Sequence, residues 1–126
     1  MIITEHFSLE EFNCSDGTSY PLNRIESTLR PLCESLELIR AEAGHPLYIV
    51  SGYRTKSYNR KVGGAFRSRH MEGDAADLYC HHVTPLELYD IINEMMEDSV
   101  VSMGGLGFYS WGIHYDQRGY KARWKK

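Results

Sequence analysis

No stretch of this sequence reaches about 18 consecutive apolar residues, so it offers no candidate membrane-spanning helix. Its first residues, Met1-Ile2-Ile3-Thr4-Glu5-His6, lack the basic start and apolar segment of a secretory signal. Basic residues are in slight deficit: 14 Lys and Arg against 17 Asp and Glu give a formal net charge of -3. That balance argues against a nucleic-acid partner, which calls for a basic patch. Cysteine is scarce, with Cys14, Cys33 and Cys80 widely spaced. An odd number with no CxxC pair reads as free thiols in a reducing compartment, not as a disulfide framework or a thiolate zinc site. Internal repeats, low-complexity runs and linkers are also missing. What remains is an ordinary globular composition, 42% hydrophobic and 25% charged, over 126 residues. That length fits one domain, 1–126, and a monomer made in the cytoplasm is expected.

Local patterns give the elements. Phe7-Ser8-Leu9-Glu10-Glu11-Phe12 opens a short helix, with capping-box spacing at Ser8 and Glu11 and a hydrophobic staple at Phe7 and Phe12. Ile25, Leu29, Leu32, Leu36 and Ile39 recur at helical spacing and predict a helix over about 24–43 that stops at Gly44. Pro31 conflicts with it, so either the helix kinks or its regular part begins nearer Thr28. Leu47-Tyr48-Ile49-Val50 reads as a strand, residues 55–73 as a long functional loop, and Ala75 to Cys80 as a strand. Thr84-Pro85-Leu86-Glu87 starts a helix to about Glu97, with Leu88, Ile91, Ile92, Met95 and Met96 facing inward. Leu106 to Tyr109 and Ile113 to Tyr115 read as strands, and the basic end 121–126 as a solvated tail. Helices followed by short meandering strands predict an α+β domain with an antiparallel sheet.

The chemistry concentrates in Ser68-Arg69-His70-Met71-Glu72-Gly73-Asp74-Ala75-Ala76-Asp77 and, later, Ile113-His114-Tyr115-Asp116. A His ends a loop, an Asp follows in a strand between small residues, and a second His stands on another strand. Two imidazoles and a carboxylate are enough for a catalytic zinc site, which uses three protein ligands and keeps a fourth position open. Taken alone, the same residues also read as structural strand histidines with a nearby acid.

Three strings decide between these. Ser51-Gly52-Tyr53-Arg54-Thr55, Asn59-Arg60-Lys61-Val62-Gly63-Gly64 and Ser68-x-His70-x-x-Gly73-x-Ala75-x-Asp77 resemble the zinc D-Ala-D-Ala carboxypeptidases, the LAS metallopeptidases. The opening 6–12 and the segment from Gly105 through His114-x-Asp116-x-Arg118-Gly119 to Trp124 resemble the same family, so nearly the whole chain is covered. The resemblance implies the hedgehog/DD-peptidase fold: an antiparallel sheet with flanking helices. It implies a Zn²⁺ cofactor on His70, Asp77 and His114, and a peptidoglycan peptide as substrate partner. Arg54 matches an arginine that holds a substrate carboxylate, and Ser68 is either a second substrate contact or a turn residue.

One departure stands out. Relatives carry a catalytic acid or histidine two or three residues before the last zinc His, where this chain has Gly112 and Trp111. The nearest acid is Asp116, which serves either as general base or to orient a zinc histidine. Strand spacing of about 6.5–7 Å between same-face neighbours suggests that Asp116 reaches bound water or His70 better than the His114 ring. Asp74 and Glu72 read as solvated loop charges, at most one of His81 and His82 can face the site, and His6 and His45 read as surface residues. The implied activity is zinc-dependent hydrolysis of an amide bond in peptidoglycan stem peptides or precursors, as carboxypeptidase or endopeptidase. The alternative is an inactive, zinc-stabilised wall-binding or structural module of the same fold. A wall enzyme without a signal leaves three settings open: phage-type lysis, cytoplasmic precursors, or another export route.

Overall fold

The opening helical signal resolves into a strand pair and one tight turn. A computed structural model describes residues 1–126. In it β1 (Ile2–Thr4) pairs antiparallel with β2 (Phe7–Ser8), and Leu9–Phe12 follows as a 3₁₀ turn. The Glu11 carboxylate accepts the Ser8 N–H at 2.8 Å, and Phe7 meets Phe12 edge-on at 6.4 Å. The cap and the contact between the phenylalanines both form, although the helix they start has a single turn.

The predicted helix over 24–43 is one helical run whose hydrogen bonding changes along its length. Leu22–Arg24 is 3₁₀, Ile25–Leu29 is a π-helical turn, and α1 (Arg30–Ala43) is regular. Pro31 stands in the first turn of α1, directly after the π-helical turn, so the i→i−4 bonds of α1 begin beyond it. The regular helix therefore starts late instead of kinking. Gly44 ends it in the left-handed conformation, φ 75°. Leu29, Leu32, Leu36 and Ile39 are fully buried, as their spacing requires.

β3 (Tyr48–Ser51) leads to α2 (Lys56–Lys61), a short helix inside the segment expected to be structureless. Thr55 caps it by accepting the Tyr58 N–H at 3.2 Å. β4 (Ala75–Tyr79) is followed by α3 (Pro85–Glu97), whose capping box closes in both directions between Thr84 and Glu87. β5 (Gly105–Phe108), β6 (Ile113–Asp116) and β7 (Ala122–Lys125) complete the sheet, in the order β3-β4-β6-β5-β7.

Residues 121–126 are not a solvated tail: four of them form β7, and Arg123 and Trp124 are half-buried. The five-stranded sheet is antiparallel as expected through β3, β4, β6 and β5, and β7 joins its edge parallel to β5. The cause is the short reversal at Arg118-Gly119, where Gly119 has φ 89°. A strand that turns back after β6 runs opposite to β6. Placed beyond β5, which also opposes β6, it must be parallel to β5.

Alternation gives the sheet two faces. Ala76, Leu78, Leu106, Ile113 and Tyr115 form one and are fully buried in the core that includes α1 and α3. Asp77, His114, Asp116, Gly105, Gly107 and Trp124 share the other, by the pairings Asp77–His114, Gly107–His114 and Gly107–Trp124. The three cysteines are all buried and unpaired.

Candidate metal centre

His70 is positioned by backbone on both sides. It sits in the 3₁₀ turn Arg69–Met71, started by Ser68, whose Oγ accepts the His70 N–H at 3.2 Å. The His70 carbonyl accepts the Arg54 N–H at 3.0 Å. Its ring Nδ1 lies 2.7 Å from the Gly52 carbonyl. A carbonyl only accepts, so Nδ1 carries the proton and donates, and Nε2 presents a lone pair. Nε2 lies 3.1 Å from Asp77 Oδ1.

His114 mirrors this arrangement with its nitrogens exchanged. Nε2 donates to Asp116 Oδ2 at 2.7 Å, and Nδ1 faces the same Asp77 Oδ1 at 3.0 Å. The Asp77–His114 pairing between β4 and β6 places the two side chains together on the open face. All three residues are at most 6% exposed, and their ligand atoms lie within 4.8 Å of one another. The donor set fits a divalent cation. Each imidazole has its outer nitrogen held by an acceptor, which leaves the inner nitrogen free to bind metal next to a carboxylate.

Asp116 is fully buried and saturated. Besides His114 it accepts from Arg118 Nε at 2.9 Å, Arg118 Nη2 at 2.7 Å, the Gly105 N–H at 2.9 Å and the Arg118 N–H at 3.1 Å. It therefore does contact the His114 ring, contrary to the strand-spacing estimate. The imidazole extends along the strand toward its neighbour, and the two side chains span the gap between them. Burial pushes the Asp116 carboxyl up, but His114 and Arg118 outweigh it and hold it well below the usual carboxylate range. Burial likewise opposes ionisation of Asp77, yet the adjoining imidazoles of His114 and His70 hold its carboxyl below that range. Burial lowers the His114 pKa, and the carboxylates of Asp116 and Asp77 more than reverse this.

Arg54 reaches the centre from the end of β3. Its Nη2 lies 3.2 Å from Asp77 Oδ2, Nε 3.2 Å from Ser51 Oγ and Nη1 3.3 Å from Asn59 Oδ1. Above these residues opens a cleft of about 500 Å³, lined by Arg54, Ser68 and the metal-site residues together with Tyr109, Trp111, Arg118 and Trp124. Its charged lining is five cations and one acid, Asp77.

Other candidates lie elsewhere. His81 and His82 are exposed in the bend after β4, His6 is exposed against Glu37, and His45 is half-buried against the His82 ring. Glu72 is exposed, but Asp74 is not a solvated charge: it is buried in an ion pair with Arg69. The sequence reading missed Arg118 and Trp124. Trp124 leans on the His114 ring at 4.9 Å, and the Arg118 guanidinium lies 5.5 Å over the Trp124 ring. A signal was present in Gly105-x-Gly107. A Cβ at Gly105 would collide with Asp116, and one at Gly107 with Trp124. Two glycines alternating on one face of a strand mark large groups crossing that face.

An α+β fold with a His-Asp-His group buried at the floor of a cleft defines a candidate metal centre. The model of the peptidase M15 family matches residues 5–116, and the chain belongs to this family, that of the zinc D-Ala-D-Ala carboxypeptidases. A comparison with curated proteins returns no match. The family match ends at Asp116, so β7 with Trp124 lies beyond it.

Proposed function

We propose that this chain hydrolyses an amide bond in peptidoglycan stem peptides or their precursors, with a zinc ion held by His70, Asp77 and His114. The observation that carries the reading is the convergence of two pre-oriented imidazole nitrogens and one carboxylate at the floor of an open cleft. When bound, zinc supplies Lewis acidity, which acidifies water and polarises a carbonyl.

The chain's own residues do the rest. The Gly52 carbonyl and the Asp116 carboxylate fix the two ring tautomers from behind. Every direction from which Asp116 can accept is taken and none of it is exposed, so its role is to orient His114 rather than to accept a proton from water. Arg54 has five N–H groups and uses three, leaving one on each terminal nitrogen. Those two suit a paired grip on a peptide's terminal carboxylate. Ser68 spends one of its two lone pairs on the His70 N–H and keeps its own hydroxyl proton for a substrate oxygen. Arg67 and Lys126, the two cations of the lining without an ion pair, favour anionic peptides.

One observation favours a zinc-stabilised module without catalysis: Asp77 is the only carboxylate lining the cleft. Digestion of purified peptidoglycan and of a D-alanine-terminated peptide by the zinc-loaded protein, with products identified by mass spectrometry, separates the two. Released D-alanine or muropeptide fragments support the peptidase. A folded, zinc-loaded protein that releases nothing supports the module.

A further inference from the structure

The connection between β5 and β6 is the tight hairpin Tyr109-Ser110-Trp111-Gly112, closed by the Tyr109 N–H on the Gly112 carbonyl at 2.9 Å. The Trp111 indole lies flat on the Tyr109 ring, with centroids 5.5 Å apart and planes 7° apart. The Tyr109 hydroxyl accepts the Trp124 Nε1–H at 3.1 Å, and Trp124 leans on His114. A chain of rings therefore connects His114 to the lip of the cleft. Trp111 ends this chain 47% exposed, one face on Tyr109 and the other open. A rigid ring of this size, half exposed in the lining of a cleft, is available to a ligand that enters it.

The surroundings narrow the ligand. A cation over the indole is disfavoured, because the cleft lining has two cations without an ion pair, Arg67 and Lys126, and its one acid, Asp77, is already paired with Arg54. An apolar side chain would need a closed apolar pocket, and the aliphatic lining is only Val62 and Ala65. A pyranose fits: its C–H face matches a flat ring, while its hydroxyl and acetamido oxygens seek donors. Arg67 and Lys126 line the same cleft, and their side chains have no ion pair or hydrogen bond within the protein.

We infer that Trp111 is a stacking subsite for the pyranose ring of an N-acetylated amino sugar, so that the chain prefers peptide still attached to its glycan over free peptide. The inference rests on the peptidoglycan reading and specifies which form of the substrate is used.

The test has two arms. In the first, calorimetry measures binding of a β-1,4-linked N-acetylglucosamine tetramer to the wild-type protein, to Trp111→Ala and to Trp111→Phe, with thermal melts to confirm folding. Saturable binding is expected, weakened about five- to tenfold by Trp111→Ala and largely kept by Trp111→Phe, the range expected of an aromatic stacking contact. No binding by the wild type at millimolar sugar, or equal binding by Trp111→Ala, overturns the inference. In the second arm, kcat/KM is compared for one peptide with and without its linked disaccharide. A preference for the linked form that disappears in Trp111→Ala is expected, and equal rates for the two forms in the wild type overturn the inference. Sugar binding through Trp111 without cleavage of either substrate supports the subsite and refutes the peptidase. Cleavage without sugar binding does the reverse.

Discussion

Replacing Asp116 by Asn removes one charge from the most heavily bonded side chain at the site. Asp116 accepts from the His114 ring, from two nitrogens of Arg118 and from two backbone N–H groups, with no exposure to solvent. The amide keeps one acceptor oxygen and turns the other into a donor. That donor then faces either His114 Nε2–H or the Arg118 guanidinium, both of which are donors themselves. If it faces His114, the ring loses the partner that fixes its tautomer, and metal affinity or activity should fall about 10–100-fold. Arg118 also loses its counter-charge. Breaking a buried pair typically costs about 3–5 kcal/mol, and less is expected here because the Arg118 side chain is 18% exposed. The assay is zinc affinity by chelator competition, then kcat at saturating zinc, with a melt to confirm folding. Weaker zinc binding with partial recovery of rate in excess zinc fits the orienting role. Wild-type zinc affinity with kcat lowered about 10²–10⁴-fold would instead identify a general base. A folded variant with wild-type affinity and wild-type turnover refutes the reasoning, because it means that the His114 Nε2 bond at 2.7 Å has no functional consequence.

The remaining predictions concern the ligands, Arg54 and the close approach at β5. Metal analysis should find about one zinc per chain, and His70→Ala or His114→Ala should each remove it; full occupancy in either variant contradicts the assignment. Arg54→Ala should lower kcat/KM on a substrate with a free C-terminus by about tenfold or more at saturating zinc, since charge-assisted bonds contribute roughly 1.5–3 kcal/mol each. Unchanged kinetics would remove Arg54 from substrate binding. Gly105→Ala should destabilise the protein by about 1–3 kcal/mol, because its Cβ would collide with the carboxylate of Asp116, which has nowhere to move. A Tm drop of several degrees checks this, and an unchanged Tm would show that the Asp116 network is looser than its distances imply.

Where local chemistry suffices, the sequence already determined the structure. The caps at Ser8 and Thr84, the stop at Gly44 and the buried face of α1 follow from side chains three or four positions apart, so a linear reading finds them. The three proposed metal ligands were legible too, because the His70-to-Asp77 string and the later His114 form a dense pattern in an otherwise unremarkable loop and strand. Other features needed the folded sheet. Lys121 to Lys126 looks like a tail because four alternating residues give too weak a signal; only pairing with β5 makes them a strand and carries Trp124 to His114. Pro31 is neutral in the first turn of a helix and disruptive in its middle, and only the π-helical turn before it shows which applies. The same holds for Asp116. Its position two residues after His114 was visible, but whether it faces water or a ring depends on Arg118 and the Gly105 backbone closing over it. Those contacts join β5, β6 and the turn after β6, and no local pattern encodes them.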